Sequence, residues 1–297
     1  MKYLEDAFKF LGKNLLLSIP LIIMVVIPNI IQGSTDKETA TEMANQINQL
    51  SLSVTMGEIS PTEFQIMALD ILKPLFVLMA IANVVLIVLS LFITPATYGM
   101  VNKALEEEDT NLIDFFPQLG KKIFKFIIFS IASFLLWFII SIVVTIISVL
   151  MVFLVNGLSE KSSALMGLGI VISVLLGVVV FLALVAFYFL TIYWFPAMVI
   201  DDLRVISAFK KSIEVARSYF WPTVGITTMI FLMGSIISFI IALPFSLIPY
   251  VGVVLSSVPT ALAQFVTIVF VLMVYRDKTS KNQLQDDGIN DTPYELI

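Results

Sequence analysis

Long apolar stretches without a single charge alternate with four short basic segments, and that alternation restricts the chain to one class of fold. Of the 17 Lys and Arg residues, all but Lys37, Lys73 and Lys161 fall in 2–13, 103–125, 204–217 or 276–281. No charged residue occurs between Lys125 and Glu160, between Lys161 and Asp201, or between Arg217 and Arg276. A helix needs about 20 apolar residues to cross the core of a bilayer. The runs therefore read as six spans, at about 15–31, 75–100, 124–154, 165–197, 220–245 and 251–275. The run after Arg217 is too long for one helix, and Pro244, Pro249 and Gly252 mark a turn inside it. The first run lacks a small-x-small cleavage site, so it reads as a retained span.

The basic segments also orient the chain. Lys and Arg are retained on the cytoplasmic side of a membrane, because moving them across its centre costs about 3 kcal/mol each. Six spans place both termini on one side, and all four basic segments share that side. The expected localisation is the plasma membrane, multi-pass, with the N-terminus and C-terminus cytoplasmic. On this assignment the outer side carries 3 basic and 7 acidic residues, and the inner side 14 and 15. Nucleic acid is excluded as a partner, since no part of the chain is strongly basic.

Composition removes much chemistry. The chain has no His and no Cys. That excludes thiol chemistry, His-based acid–base catalysis and the usual zinc sites. Only 13% of residues are charged and 59% are hydrophobic, against about 25% charged in soluble domains. No Asp, Glu, Lys or Arg lies at the centre of a span, where ion-coupled transporters keep one. No catalytic residue, metal ligand or cofactor is expected.

The outer segment, 34–73, reads as two helices. Thr35-x-x-Glu38 has the form of a capping box, with Met43, Ile47 and Leu50 at helical spacing after it. Gly57 ends that helix. Ser60-Pro61-Thr62-Glu63 then supplies an N-cap, a proline at N1 and a carboxylate at N3. A kink is expected at Pro74. The segment is a hairpin on the bilayer surface or an outward-facing partner surface.

The connections arrange the spans as three hairpins, each preceded by a segment of helical periodicity. Asp6-Ala7-Phe8-Lys9-Phe10-Leu11-Gly12-Lys13 precedes the first span and Asp114-Phe115-Phe116-Pro117-Gln118-Leu119-Gly120-Lys121 the third. These agree at five of eight positions. A looser version, Ser207–Ile213, precedes the fifth. Spans two and four both end in a Pro-Ala step, Pro95-Ala96 and Pro196-Ala197. The pattern reads as a threefold internal repeat, or as chance likeness within a biased composition. In 205–220, Ile206, Phe209, Ile213 and Phe220 share one helical face, opposite Lys211, Glu214 and Ser218, as in a helix lying in the membrane interface. Such segments are anchors under the positive-inside rule, or docking helices for a cytoplasmic partner. Lys121, Lys122, Lys125, Lys210, Lys211 and Arg217 are the candidate contacts to that partner or to lipid headgroups.

Two sets of small residues recur four apart: Gly169, Ser173 and Gly177, and Gly234, Ser238 and Ala242. This spacing lets helices approach closely. It serves packing within the chain, or formation of a homo-oligomer. Polar residues within the spans are few, and Asn83, Thr145 and Gln264 are those that a permease would bring together. The last residues, 277–297, read as a disordered cytoplasmic tail after a membrane domain at 1–276. Tyr294-Glu295-Leu296-Ile297 could serve as a peptide ligand.

Phe195-Pro196-Ala197-Met198-Val199-Ile200, then Ala208-Phe209-Lys210-Lys211-Ser212, then Phe220-Trp221, together with Val274-Tyr275-Arg276-Asp277, resemble a widespread prokaryotic family. It is the six-span membrane domain associated with some glycerophosphodiester phosphodiesterases, to which the YciC-like membrane proteins are similar. The resemblance implies an all-α membrane fold. Hydrolysis in that family belongs to a separate barrel using His and metal-binding carboxylates, and this chain has no His. The expectation is an all-α polytopic integral membrane protein that is not an enzyme and organises membrane lipids or protein partners. The alternative is the permease subunit of a transporter, powered by a separate ATPase.

Overall fold

The computed structural model describes residues 2–33, 37–107, 110–159, 162–245, 248 and 250–286. Among these residues there is no strand. The helices are α1 (Lys2–Lys13), α2 (Ile19–Gln32), α3 (Lys37–Thr55), α4 (Pro61–Glu107), α5 (Phe115–Ser159), α6 (Ser163–Thr191), α7 (Trp194–Ile200), α8 (Val205–Ser218), α9 (Phe220–Phe245) and α10 (Val251–Asp286). A short 3-10 turn, Leu15–Ser18, leads into α2. Lipid offers no hydrogen bonds, so a chain this apolar satisfies its backbone internally, as helix. Among the described residues six helical segments are long and apolar enough to cross a membrane: Leu15–Gln32, Pro61–Glu106, Leu112–Leu158, Ser163–Ile200, Phe220–Phe245 and Val251–Ser280.

The local signals work as their chemistry dictates. Gly57 takes φ +76, a conformation that suits glycine, just past the end of α3. Ser60 and Glu63 close a reciprocal capping box, with Ser60 N to Glu63 Oε2 at 2.8 Å and Glu63 N to Ser60 Oγ at 3.2 Å. Helix α4 then runs unbroken through Pro74 and Pro95 for 47 residues. At 1.5 Å per residue that is about 70 Å, more than twice a hydrocarbon core of about 30 Å. Thr35, the expected cap of α3, lies outside the described residues, as does the terminal peptide 294–297.

Two elements differ from expectation. The fourth apolar run is not one helix. It breaks at Ile192 and Tyr193, between α6 and α7. Pro196 explains the break: it has no N–H to give the carbonyl four residues earlier, and its ring crowds that carbonyl. The first part of the polar end, expected as a tail from 277, is helical, and 287–297 lie outside the described residues. Helix α10 continues beyond Arg276 to Asp286. Thr279 is buried there and its hydroxyl bonds the Tyr275 carbonyl at 2.8 Å.

The chain forms two compact units. Residues 1–4, 120–227 and 270–297 make the first, and 5–119 and 228–269 the second. In the second unit α2 packs along α4, and Leu21, Met24 and Val25 of α2 are buried, as is Leu17 in the turn before it. Asn29 Nδ2 donates to Ser257 Oγ at 2.8 Å. Helices α9 and α10 meet where Gly234 faces Ala263 and Pro259, and Ser238 shares a hydrogen bond with Thr260 at 3.0 Å.

In the first unit α5 and α6 bring Trp137 and Phe187 edge to face at 5.9 Å. Their outward faces are strongly exposed: Phe134 is 67% accessible, Phe153 70% and Phe181 64%. The most apolar 18 residues of each segment include no buried residue. In water so large an apolar surface is untenable, and in lipid it has its natural solvent.

Candidate functional site

The chemistry of this chain gathers at one end of the first unit, around the break between α6 and α7. A broken helix leaves backbone groups without partners: the last four carbonyls of α6 and of α7, and the first N–H groups of α8. Ser212 of the Ala208-to-Ser212 motif and two lysines of α5 answer some of those groups. Ser212 Oγ donates to the carbonyl of Leu190 in the last turn of α6 at 2.8 Å. Ala208 and Ser212 are both fully buried. The Ala-x-x-x-Ser spacing puts them on one face of α8: the alanine lets the helices approach and the serine caps the break.

The end of α7 is capped by cations. Lys122 Nζ donates to the Val199 carbonyl at 2.8 Å, and Lys125 Nζ to the Met198 carbonyl at 3.1 Å. Ammonium groups suit a helix C-terminus, where the carbonyl dipoles point outward. Lys125 also pairs with Asp202. Asp202 holds φ +56, in the left-handed region that few residues other than glycine adopt, and it makes the turn from α7 into α8.

Aromatic packing fixes these pieces. Trp194 is 5% exposed and stands edge-on to Phe129 at 5.3 Å and to Phe209 at 4.9 Å. Its Nε1–H donates to the Val205 carbonyl at 2.8 Å. Phe126 and Phe195 meet edge to face at 5.1 Å. Tyr193, at the break itself, is fully buried and bonds Thr223 at 2.6 Å. Helix α10 joins through Tyr275, whose hydroxyl donates to Asp201 Oδ2 at 2.5 Å. Tyr3 donates to Asp277 Oδ2 at 2.5 Å and packs edge-on against Tyr219, over which Lys278 sits at 5.0 Å. Burial first, and the Asp277 bond second, push the Tyr3 hydroxyl well above its ordinary value, so it is a donor at neutral pH.

Between α5 and the α7–α8 turn lies a cleft of 490 Å³, lined by Lys125, Ile128, Met198, Asp202, Arg204, Ile206 and their neighbours. Arg204 is the N-cap residue of α8, in extended conformation and without a side-chain capping bond.

The six basic residues singled out by sequence all belong to this unit, but they divide into two groups. Lys122 and Lys125 are spent on α7, and Lys211 pairs with Glu214 at 3.0 Å. Lys121, Lys210 and Arg217 are exposed. Exposed apolar residues accompany them: Phe124 at 75%, Ile206 at 73% and Trp221 at 78%. The face of α8 buried in the protein is Ala208, Ser212, Val215 and Ala216, so Ile206 is left outward.

The small-residue sets also divide. Gly234 and Ser238 meet α10 as described, and Ala242 is half-buried. Gly169 lies against Val155 and Leu158 of α5, the Ser173 hydroxyl is buried without a partner, and Gly177 faces open space. Among the described residues no group of three or more acidic side chains is placed to hold a metal.

Sequence reasoning missed Trp194, Asp202 and Arg204, and it named Tyr275 only within a motif, without a role. The adjacent Asp201 and Asp202 at the end of an apolar run were the available signal for a turn built to receive side chains from elsewhere. Ser212 was visible as a motif residue but not as a cap. Replacing it with Ala orphans the part-buried Leu190 carbonyl. The expected loss is about 1–3 kcal/mol, read as a lower midpoint of thermal unfolding in detergent, with Ser212→Thr retaining more of the stability than Ser212→Val.

A family model described as Domain of unknown function (DUF7847) matches residues 51–276. The matched stretch contains the whole α5–α8 site and Tyr275. The chain belongs to that family. Neither the curated proteins nor the solved structures give a match.

Proposed function

We propose that this chain is a non-catalytic, multi-pass plasma-membrane protein whose basic, aromatic collar engages membrane lipids and a cytoplasmic partner protein. The supporting observation is the pairing of exposed cations with exposed apolar side chains. Lys121, Lys210 and Arg217 stand outward on the same unit as exposed Phe124, Ile206 and Trp221. Apolar rings entering the acyl boundary below cations at headgroup level is the pattern of an interfacial anchor, worth about 1 kcal/mol per cation near an anionic surface.

In this reading the six spans form three hairpins with both termini cytoplasmic. Helices α1 and α8 and the start of α5 are the interfacial elements that introduce them, as a threefold repeat would place them. The likeness to the membrane domain of glycerophosphodiester phosphodiesterases fits a structural role. Its Ala208 and Ser212 are buried, and the Ser212 hydroxyl is occupied by a backbone carbonyl.

A permease would need polar groups left free within the spans. Asn83 instead donates to the Met79 carbonyl of its own helix at 2.7 Å, and Thr145 to the Ser141 carbonyl at 2.8 Å. Groups satisfied within their own turn are the ordinary state of polar side chains in lipid. For Asn83 and Thr145 that favours the organising role over transport; Gln264, the third residue of that set, is half-buried on α10.

Purification of the full chain in mild detergent, with identification of bound lipids and proteins, tests the proposal. The expected result is enrichment of anionic lipid over the bulk membrane. Stoichiometric recovery of an ATPase would replace this reading with the permease.

A further inference from the structure

We infer that the cleft between α5 and the α7–α8 turn binds one anionic glycerophospholipid, with its phosphodiester at Arg204 and an acyl chain along Ile128. The inference rests on the reading of the collar as lipid-engaging and assigns it a discrete site.

Charge complementarity selects the headgroup. Within the cleft Lys125 and Asp202 pair and cancel. The Arg204 carbonyl accepts from Ala208 N–H at 2.8 Å, but its guanidinium has no hydrogen bond or ion pair among the described residues and makes no capping bond. The cleft therefore keeps a surplus of one positive charge. The start of α8 adds to it, because its first N–H groups carry the positive end of the helix dipole, equivalent to about half a charge. A phosphodiester carries one negative charge and accepts two hydrogen bonds from a guanidinium fork. A headgroup with no ammonium leaves that charge intact, whereas a choline or ethanolamine headgroup cancels it.

Continuity with apolar surface selects a lipid over a soluble phosphodiester. Ile128 is 53% exposed and Ile206 73%. From Ile128 the outward face of α5 continues through Ile131, Phe134 and Leu135, each more than half exposed. An acyl chain leaving the cleft thus meets apolar surface along α5.

The test uses the full chain in dodecyl maltoside, titrated with phosphatidylglycerol, phosphatidylcholine or free glycerophosphoglycerol, and read by native mass spectrometry. One phosphatidylglycerol is expected to bind more tightly than the rest. Arg204→Ala should weaken that first binding by about tenfold, the loss of a charge-assisted hydrogen bond. Ile128→Trp should weaken it comparably while leaving every charge in place. Lys73→Ala, at an exposed cation outside the collar, should change it less than twofold. Both cleft residues are exposed, and an unchanged unfolding midpoint shows each variant folded. Equal losses in Arg204→Ala and Lys73→Ala would overturn the site in favour of diffuse attraction. Equal binding of glycerophosphoglycerol would overturn the lipid in favour of a soluble phosphodiester. If phosphatidylglycerol preference survives both cleft variants, the cleft fails and the collar reading stands. If the unaltered chain prefers neither lipid, both fail.

Discussion

Trp194→Ala should be the most damaging single change in the first unit, lowering stability by about 3–5 kcal/mol. Three losses combine. The indole is 5% exposed, so its removal leaves a cavity rather than a surface change. Its edge contacts with Phe129 at 5.3 Å and Phe209 at 4.9 Å disappear, each worth about 0.5–1.5 kcal/mol beyond burial. The Val205 carbonyl, which accepts the indole N–H at 2.8 Å, loses its donor at the start of α8. Trp194→Phe separates these effects. It keeps an aromatic core and forfeits the hydrogen bond, and should cost about 1–2 kcal/mol. Thermal unfolding in detergent, followed by size-exclusion chromatography, reads both. Because Val205 borders the cleft, Trp194→Ala should also weaken phosphatidylglycerol binding where Trp194→Phe largely retains it.

Gly234→Leu should be comparably severe in the second unit. A Cβ at Gly234 would lie 2.7 Å from Ala263 Cβ and 3.3 Å from the Pro259 carbonyl oxygen. Neither neighbour can swing aside: one is a methyl group fixed to a helix and the other is backbone. A leucine forces α9 and α10 apart and breaks the 3.0 Å bond between Ser238 and Thr260. Overpacking of this kind costs about 1–3 kcal/mol even where some relaxation is available, and the backbone contact puts this site at the upper end. Ala263→Gly added to Gly234→Ala should recover most of the loss from Gly234→Ala alone, since it removes the opposing methyl. Gly177→Ala is the contrast. It carries the same four-residue spacing, yet nothing lies within 4 Å of its Cβ position, and the unfolding midpoint should stay nearly unchanged.

That contrast shows how far residue pattern reaches. The number of membrane-length helices, the glycine stop at Gly57 and the capping box at Ser60 all follow from local rules, and local rules are written in adjacent residues. The division of the collar lysines is not local. Lys122 and Lys125 look like Lys121 and Lys210 in sequence. Only the position of α7 makes two of them helix caps and leaves the others to solvent or headgroups. The break in the fourth run was within reach, because Pro196 sits deep enough in it to interrupt the ladder. It was hidden because a proline near the end of a span also reads as a boundary. Helix α10 outruns its apolar segment because tertiary partners hold it: Asp277 accepts from Tyr3 and Lys278 covers Tyr219. Composition alone cannot see either contact. Small-residue spacing marks where helices are able to approach, and the structure decides at Gly234 and Gly177 whether one does.

The claim on which the rest depends is that the basic collar faces the cytoplasm, with the outer segment across the membrane from it. The chain has no native cysteine, so single cysteines report without background. Ser51, on α3, and Ser280, on α10, are both exposed. Labelling of intact cells with a membrane-impermeant maleimide measures the side of each directly. The account predicts that Ser51→Cys labels in intact cells and that Ser280→Cys labels only after permeabilisation. Labelling of Ser280→Cys in intact cells, or of both positions from the same side, would contradict it.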